Sequence, residues 1–337
     1  MLWISLVSYF ILAGGLVYLS DKLSGYIDLL DKKTNVSGAF LGGVLLAAVT
    51  SLPELFTSIS ATLFLHQKDL VVGNILGSNL FNLLVIGGCL ILFSKIFINS
   101  KIEYKSHNYT FLGLAIIYGL ICYGLFIPNS MQLIIGPINL ICPLALIIYG
   151  LIIYFQPKEI EKIDSEGSKD ISNLTIKQIL TRFSIYAILL VIISIVITYV
   201  TDILGQELGL NATVAGALFL AIATSLPELV SCISLCKRNN FNAAFGDILG
   251  SCLFNFCIIG ISEFLSFDGS LISQSNTDAK YMSILAIICI IAIYLLLTFK
   301  RFIFDKKEPS KNNTWFQILS IIIGIICFSG YLIFLII

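Results

Sequence analysis

The stretch Thr50-Ser51-Leu52-Pro53-Glu54-Leu55 occurs a second time in this chain, as Thr224-Ser225-Leu226-Pro227-Glu228-Leu229. Each copy interrupts a long apolar run with two hydroxyls, a proline and a carboxylate. A glutamate inside a bilayer costs roughly 2.5–3.5 kcal/mol on insertion scales, so it usually faces a partner or an ion. Two such glutamates in duplicated surroundings predict one polar site built from two halves of the chain.

A second pair of matching strings follows further along. It comprises Gly77-Ser78-Asn79-Leu80-Phe81-Asn82 and Gly250-Ser251-Cys252-Leu253-Phe254-Asn255. In each string the serine and the last asparagine are spaced i, i+4, so both side chains project from one face of a helix. Because the polar positions match within otherwise interchangeable Ile, Leu and Val sequence, the repeat indicates a shared function and not ancestry alone.

The composition indicates an integral membrane protein. Hydrophobic residues make up 58% of the chain, charged residues only 12%, and the mean hydropathy is +0.97, whereas soluble domains carry about 25% charged residues. The net charge of zero gives no argument for a nucleic-acid partner. The nine cysteines lie mostly in apolar runs without paired metal-ligand spacing, so we expect packing residues, no disulfides and no metal cofactor.

A membrane-spanning helix needs about 20 apolar residues. The sequence predicts ten transmembrane helices near 2–20, 37–65, 70–94, 107–126, 131–155, 179–200, 210–236, 241–265, 281–299 and 314–336. With both termini outside the cytoplasm, only Lys68 and Lys280 of the 20 Lys and Arg residues fall on the outer side. This is the asymmetry that the positive-inside bias requires, and it predicts a multi-pass protein of the plasma (inner) membrane.

The repeat divides the predicted spans into two groups of five. We expect residues 1–155 to form a first transmembrane repeat, 156–178 a cytoplasmic linker, and 179–337 a second repeat. Because five is odd, the second repeat is inverted relative to the first. The predicted fold class is therefore an all-α membrane protein of two inverted five-helix repeats, an arrangement typical of transporters that bind substrate near the bilayer midplane.

The repeated residues supply oxygen ligands. Pro53 and Pro227 are helix-breaking, because they cannot donate a hydrogen bond to the carbonyls of Val49 and Ala223. Irregular backbone at membrane depth is tolerated where it lines a cavity. Hydroxyls, carboxylates and carbonyls suit hard cations such as calcium, sodium or magnesium. Two carboxylates balance one divalent or two monovalent ions, while Asp247, whose counterpart is the neutral Asn74, remains the less favoured ligand.

At these residues the chain resembles the sodium/calcium exchanger family of the cation/calcium antiporter superfamily, whose repeats carry Gly-Thr-Ser-Leu-Pro-Glu-like and Gly-Ser-Asn-x-x-Asn-like motifs. The resemblance implies a transporter, not an enzyme, that works in lipid with Ca²⁺ and Na⁺ as its partners. It implies calcium binding by Glu54, Glu228, Thr50 and Thr224; sodium binding by Ala47, Ser51, Ser78, Ala221, Ser225 and Ser251; and a cavity lined by Asn82 and Asn255.

Several functions remain open at this point. The favoured hypothesis is sodium-driven calcium antiport by alternating access, and proton-driven exchange on the same scaffold is the alternative. Asn255 stands where potassium-dependent relatives place Asp, which argues against potassium cotransport. Gly246-Asp247 also suggests an intramembrane aspartyl protease, but the chain offers no second aspartate in such a context. A passive channel is disfavoured because paired glutamates indicate an occluded, strongly binding site.

Overall fold

The computed structural model describes residues 2–33, 48, 50–100, 102, 104–132, 134–136, 138–155, 174–237, 239, 241–272, 276–304 and 314–336. Nearly all of these residues are helical. The helices are α1 (Leu2–Lys33), α2 (Leu52–Leu63), α3 (Lys68–Leu92), α4 (Ser94–Asn99), α5 (Tyr104–Phe126), α6 (Ile141–Phe155), α7 (Ile176–Leu208), α8 (Ala212–Thr224), α9 (Leu226–Lys237), α10 (Phe241–Leu265), α11 (Thr277–Phe304) and α12 (Thr314–Ile336).

The predicted class of helical membrane protein is confirmed. Within the described residues, seven helices are long and apolar enough to cross a membrane, and the bent pair α8 and α9 makes an eighth candidate. Helix α6 is apolar but only 15 residues long. Much of the predicted second span, 37–65, lies outside the described residues, as does most of the predicted linker. Helix α7 begins at Ile176, inside the predicted linker, after a capping box formed by Thr175 and Gln178.

The prediction of a helix starting near residue 131 is wrong. The chain there forms a short 3₁₀ turn, Asn129–Met131, and a hairpin of β1 (Ile134–Ile135) and β2 (Ile138–Asn139) before α6 starts. Gly136 turns the hairpin with φ of +61°, a conformation that glycine adopts without strain. The buried Glu263 carboxylate accepts hydrogen bonds from the amides of Asn139 (2.7 Å) and Leu271 (2.8 Å). Apolar composition alone could not reveal this turn.

Helices α3 and α10 form the centre of the molecule. In their most apolar stretches 78% and 72% of residues are buried, whereas for α1 and α7 the share is 22%. Helix α3 packs against α12, α10 packs against α6, and α1 and α7 pair with each other. The large apolar side chains on the outer faces of α1 and α7 are exposed, as expected for lipid-facing surfaces. The strings that begin at Gly77 and Gly250 thus lie in the two most enclosed helices.

Glycines bring α3 and α8 into close backbone contact. Gly73 and Gly77 are spaced i, i+4, the small-residue pattern that lets membrane helices approach. A Cβ at Gly73 would lie 2.1 Å from the carbonyl oxygen of Thr213, and one at Gly77 would lie 2.6 Å from the Cα of Ala217. At this crossing α8 contains a π-helical turn, Gly216–Leu220.

Two tyrosines support that π-helical turn. Tyr9 on α1 donates a hydrogen bond to the carbonyl of Phe219 (2.8 Å), and Tyr331 on α12 donates one to the carbonyl of Ala217 (2.9 Å). A widened helical turn needs such partners inside a membrane, where no bulk water satisfies backbone carbonyls. The irregular turn is therefore held from two sides.

Replacing Gly73 with Ala should destabilise the protein, since the added methyl meets backbone that cannot rotate away. Overpacking of this kind costs about 1–3 kcal/mol. The matched control is Gly88→Ala in the same helix, where no heavy atom lies within 4 Å of the added Cβ. The control should match or exceed wild type, because alanine favours a helix over glycine by about 1 kcal/mol. Thermal unfolding in detergent measures both changes, and equal melting temperatures for the two variants would contradict the close contact.

Candidate functional site

The candidate site lies where two helices are interrupted, at Ser51 and at Ser225. Ser51 is the N-cap residue of α2, with φ −91° and ψ 11°, and Pro53 occupies the first turn of that helix. Ser225 has similar angles, φ −92° and ψ 7°, and separates α8 from α9, whose axes differ by 48°. The predicted helix-breaking role of the prolines matches both interruptions, because a proline fits the first turn of a new helix but not a helix interior.

The two halves exchange hydrogen bonds across the site. The hydroxyl of Ser225 donates to Oε1 of Glu54 (3.0 Å), and the hydroxyl of Ser51 approaches Oε1 of Glu228 at 3.4 Å. Thr224 is a side-chain hydrogen-bond neighbour of Glu54, and Thr50 is one of Glu228. Each carboxylate is therefore contacted by the hydroxyl pair of the opposite repeat. The structure brings the four predicted calcium ligands together.

Both carboxylates are buried with unused acceptor capacity. Glu54 is 1% exposed and Glu228 is 0% exposed. Within the described part of the chain, the Oε2 atoms of both glutamates have no hydrogen-bond partner, and no Lys, Arg or His forms an ion pair with either. Leaving a buried carboxylate without a compensating positive charge costs several kcal/mol. The pair of carboxylates is therefore a candidate cation-binding site.

Helices α3 and α10 close the site with the predicted serines and asparagines. The Ser251 hydroxyl approaches Oε1 of Glu228, and the Ser78 hydroxyl approaches the carbonyl of Ala221, both at 3.5 Å. Ser78, Ser251, Asn82 and Asn255 are all buried. Among the described residues, Oδ1 of Asn82 and Oδ1 of Asn255 accept no hydrogen bond. Ala47, the remaining predicted sodium ligand, lies outside the described residues.

Asn79 joins the central helices to each other. Its Oδ1 accepts a hydrogen bond from Asn255 Nδ2 at 2.9 Å, and its Nδ2 donates to the carbonyl of Cys252 at 3.3 Å. The Cys252 thiol in turn approaches the Asn79 carbonyl at 3.9 Å. Asn79 and Cys252 occupy equivalent places in the duplicated strings, so this contact, like the Ser–Glu exchange, is reciprocal between the repeats.

The polar contacts that lie one helical turn beyond the glutamates were not predicted from the sequence. Asn74 Nδ2 lies 3.0 Å from the hydroxyls of both Thr57 and Ser58. At the equivalent place in the second half, the Ser231 hydroxyl donates to Oδ2 of Asp247 at 2.8 Å. The signal was available, because Thr57, Ser58 and Ser231 follow their glutamates by three or four residues and so lie on one helical face.

Asp247 adds a third carboxylate close to the site. It lies one helical turn before Ser251 on α10, and its buried Oδ1 has no partner among the described residues. Its counterpart Asn74 is neutral, so negative charge is distributed unequally between the two halves.

The arrangement can coordinate hard cations. Its donors are carboxylate, hydroxyl, amide and backbone carbonyl oxygens, the ligand types that Ca²⁺ and Na⁺ accept. The described residues around the two glutamates include no histidine or nucleophile–base pair contacting them.

The profile of the sodium/calcium exchanger protein family matches residues 4–158 and 179–337. The inner membrane protein YrbG of Escherichia coli K12 is 25% identical over 252 residues, which cover 72% of this chain and 74% of that protein. The sodium/calcium exchanger MaX1 of Methanosarcina acetivorans is 27% identical over 306 residues, covering 76% and 82% of the two chains.

Solved structures share the fold. The sodium-calcium exchanger NCX_Mj aligns with a TM-score of 0.55 and 21% identity, covering 98% of this chain and 99% of that one. The H⁺/Ca²⁺ exchanger CAX aligns with a TM-score of 0.67 and 14% identity, covering 98% and 89%.

Fold, buried carboxylates and sequence profile together define an integral membrane ion exchanger. The chain belongs to the sodium/calcium exchanger family and is a cation/Ca²⁺ antiporter.

Replacing Glu54 or Glu228 with Gln should abolish Ca²⁺ binding, because each removes half of the compensating charge. Loss of one partner from a buried charge interaction costs about 3–5 kcal/mol, which is more than about 100-fold in affinity. Each variant should lose the Ca²⁺-dependent rise in melting temperature while staying folded without ions. The control is Glu207→Gln, an exposed carboxylate on α7, which should keep the rise. A normal Ca²⁺ shift in either site variant would contradict the assignment.

Proposed function

We propose that this protein exchanges Na⁺ for Ca²⁺ by alternating access at a site formed by Glu54 and Glu228. The observation that carries the proposal is the pair of buried carboxylates, each contacted by a serine of the opposite half and each with a free oxygen. Thr50 and Thr224 add calcium ligands. Flanking sodium sites use Ala47, Ser51, Ser78, Ala221, Ser225 and Ser251, and Asn82 and Asn255 line the cavity between them.

Charge balance explains the exchange. Two carboxylates neutralise one Ca²⁺ or two Na⁺, so a cavity filled with sodium holds too little remaining negative charge for calcium. Ser51 and Ser225 contact the same carboxylate oxygens that calcium requires, which makes the two ions compete for shared ligands. Antiport follows when the loaded site opens to one side of the membrane at a time.

The proposed scaffold consists of ten spans in two inverted repeats, 1–155 and 179–337, joined by a cytoplasmic linker at 156–178. Contacts between chain segments support this arrangement. On the proposed outer side, His66 pairs with Asp268 at 2.9 Å and Asn276 bonds to Asp69 at 2.8 Å. On the proposed inner side, Lys300 donates to the carbonyl of Ser100 at 2.6 Å. Segments assigned to one side of the membrane therefore contact each other.

The reciprocal contacts also support inversion. Ser51 meets Glu228 while Ser225 meets Glu54, and Asn79 and Cys252 contact each other's backbone. Such pairing of equivalent residues is the pattern of a two-fold axis. An axis between consecutive five-span halves lies in the membrane plane, as in inverted-repeat transporters.

Proton-driven exchange is the second candidate. A buried carboxylate can be neutralised by a proton as well as by a metal ion, because protonation also removes the unpaired charge. The high fold similarity to the H⁺/Ca²⁺ exchanger CAX fits this alternative. Sodium is favoured because Ser51, Ser78, Ser225 and Ser251 add uncharged oxygens around the carboxylates, which a proton does not need and Na⁺ does.

Radiolabelled Ca²⁺ uptake into proteoliposomes separates these candidates. Vesicles loaded with Na⁺ and diluted into Na⁺-free medium should accumulate Ca²⁺, and K⁺ should not be required. A pH gradient of equal driving force, without Na⁺, should give no uptake above that of empty vesicles. Uptake driven by the pH gradient alone would replace sodium with protons, and uptake without any counter-ion would indicate a channel.

Serine variants test where sodium binds. Ser51→Ala and Ser225→Ala remove ligands of the proposed sodium sites and should raise the Na⁺ concentration for half-maximal exchange several-fold, with a smaller change in Ca²⁺ affinity. Ser329→Ala is the matched control, because its exposed hydroxyl bonds only to the carbonyl of Ile326 in α12. Equal loss of Na⁺ and Ca²⁺ affinity in the site variants would argue against separate sodium ligands.

Topology can be tested with single reporter cysteines or fusion reporters. Labels within 156–173 should be protected from a membrane-impermeant reagent in intact cells, and labels at both termini should react. The predicted location is the plasma (inner) membrane with the termini outside the cytoplasm. A protected C-terminus would refute the ten-span arrangement and the inversion derived from it.

A further inference from the structure

Three buried thiols converge beside the proposed ion site. Cys89 lies on α3, and Cys232 and Cys236 lie one turn apart on α9. They are 4%, 1% and 1% exposed. The sulfurs of Cys89 and Cys232 are 3.6 Å apart, and all three sulfurs lie within 4.8 Å of one another. Among the described residues this is the one group of three or more Cys, His, Asp or Glu close enough to hold a metal ion.

The spacing fits coordination of one soft metal ion. Sulfur–metal bonds of about 2.3 Å place three ligand sulfurs roughly 3.8–4.0 Å apart in tetrahedral or trigonal geometry, which lies within the observed range. Thiolates select soft ions over the hard Ca²⁺ and Na⁺. A disulfide requires sulfurs about 2.05 Å apart, and all nine cysteines are free in the structure. The sequence-based expectation of simple packing residues did not foresee the cluster.

The cluster connects directly to the helices that hold the ion ligands. Cys232 lies four residues after Glu228 on α9, a displacement of about 6 Å at 1.5 Å per residue. Cys89 follows Asn82 by seven residues on α3, two turns along the same helical face. Helix α9 is joined to α8 only through the break at Ser225, where the axes bend by 48°. A metal bound by all three sulfurs would fix α9, and with it Glu228, against α3.

We propose that Cys89, Cys232 and Cys236 form a second metal site, specific for a soft divalent cation, which locks α9 against α3 and inhibits exchange. Binding converts the three thiols to thiolates and releases three protons, because a cysteine ligates a metal as its thiolate. The divalent ion then offsets two of the three negative charges. The inhibitory role rests on the proposed function; the binding itself does not.

Cadmium binding to the reduced, purified protein tests the site without any transport measurement. Cd²⁺ is titrated in detergent with saturating Ca²⁺, which occupies the carboxylate site, and the ultraviolet thiolate-to-cadmium charge-transfer absorption is recorded. Wild type should show a saturable band with one Cd²⁺ per chain. Cys232→Ser and Cys236→Ser should lose it, while Cys142→Ser, a buried cysteine on α6 outside the cluster, should keep it. Size-exclusion profiles establish that each variant is folded.

The inhibitory role is measured on the same variants in proteoliposomes. Cd²⁺ should reduce Ca²⁺ exchange by wild type and Cys142→Ser even at saturating Ca²⁺, and should leave Cys232→Ser unaffected. Absence of the band in wild type, an unchanged band in both cluster variants, or loss of two free thiols to a disulfide would overturn the metal site. A normal charge-transfer band without any reduction of Ca²⁺ exchange would overturn the inhibitory role. If no variant exchanges Ca²⁺ at all, the proposed function fails while the absorption titration still decides the site.

Discussion

The site depends on two buried carboxylates that form no ion pair with any basic side chain of the described residues. Within the described residues, Glu54 and Glu228 are fully buried, unpaired and each left with one free oxygen. A buried carboxylate of this kind is neutralised either by a proton or by a bound cation. Both carboxylates lie next to a helix interruption, at Ser51 and at Ser225. Serine hydroxyls contact them from the neighbouring segments.

Backbone proximity makes the site possible. Gly73 and Gly77 allow α3 to touch α8 at the π-helical turn, whose carbonyls are held by Tyr9 and Tyr331. That contact sets Ser78 beside the carbonyl of Ala221. Reciprocal bonds between Asn79, Cys252 and Asn255 then join α3 to α10. Residues of the proposed ion site thus also hold the two halves together, so the site and the helix packing share the same contacts.

Much of this could be predicted from the sequence, because the informative signals were local. Apolar runs, two prolines and two glutamates repeated at matching spacing predicted the membrane class, the helix breaks and the glutamates of the site. What the sequence could not supply was pairing over long distances. The hydrogen bonds from Ser51 to Glu228 and from Ser225 to Glu54 join residues more than 143 positions apart. The contact between Cys89 and Cys232 spans 143 positions. The hairpin near Gly136 was missed because its residues are as apolar as a membrane helix.

The unequal pair Asn74 and Asp247 makes the two halves of the site electrostatically different. One half has an amide bonded to Thr57 and Ser58 beside its glutamate, and the other half has a carboxylate bonded to Ser231 at the equivalent place. A negative group concentrates cations locally and deepens the potential along its path. A cation held between the two glutamates would therefore lie in a more negative field on the Asp247 side, so the two halves would contribute unequally to its binding.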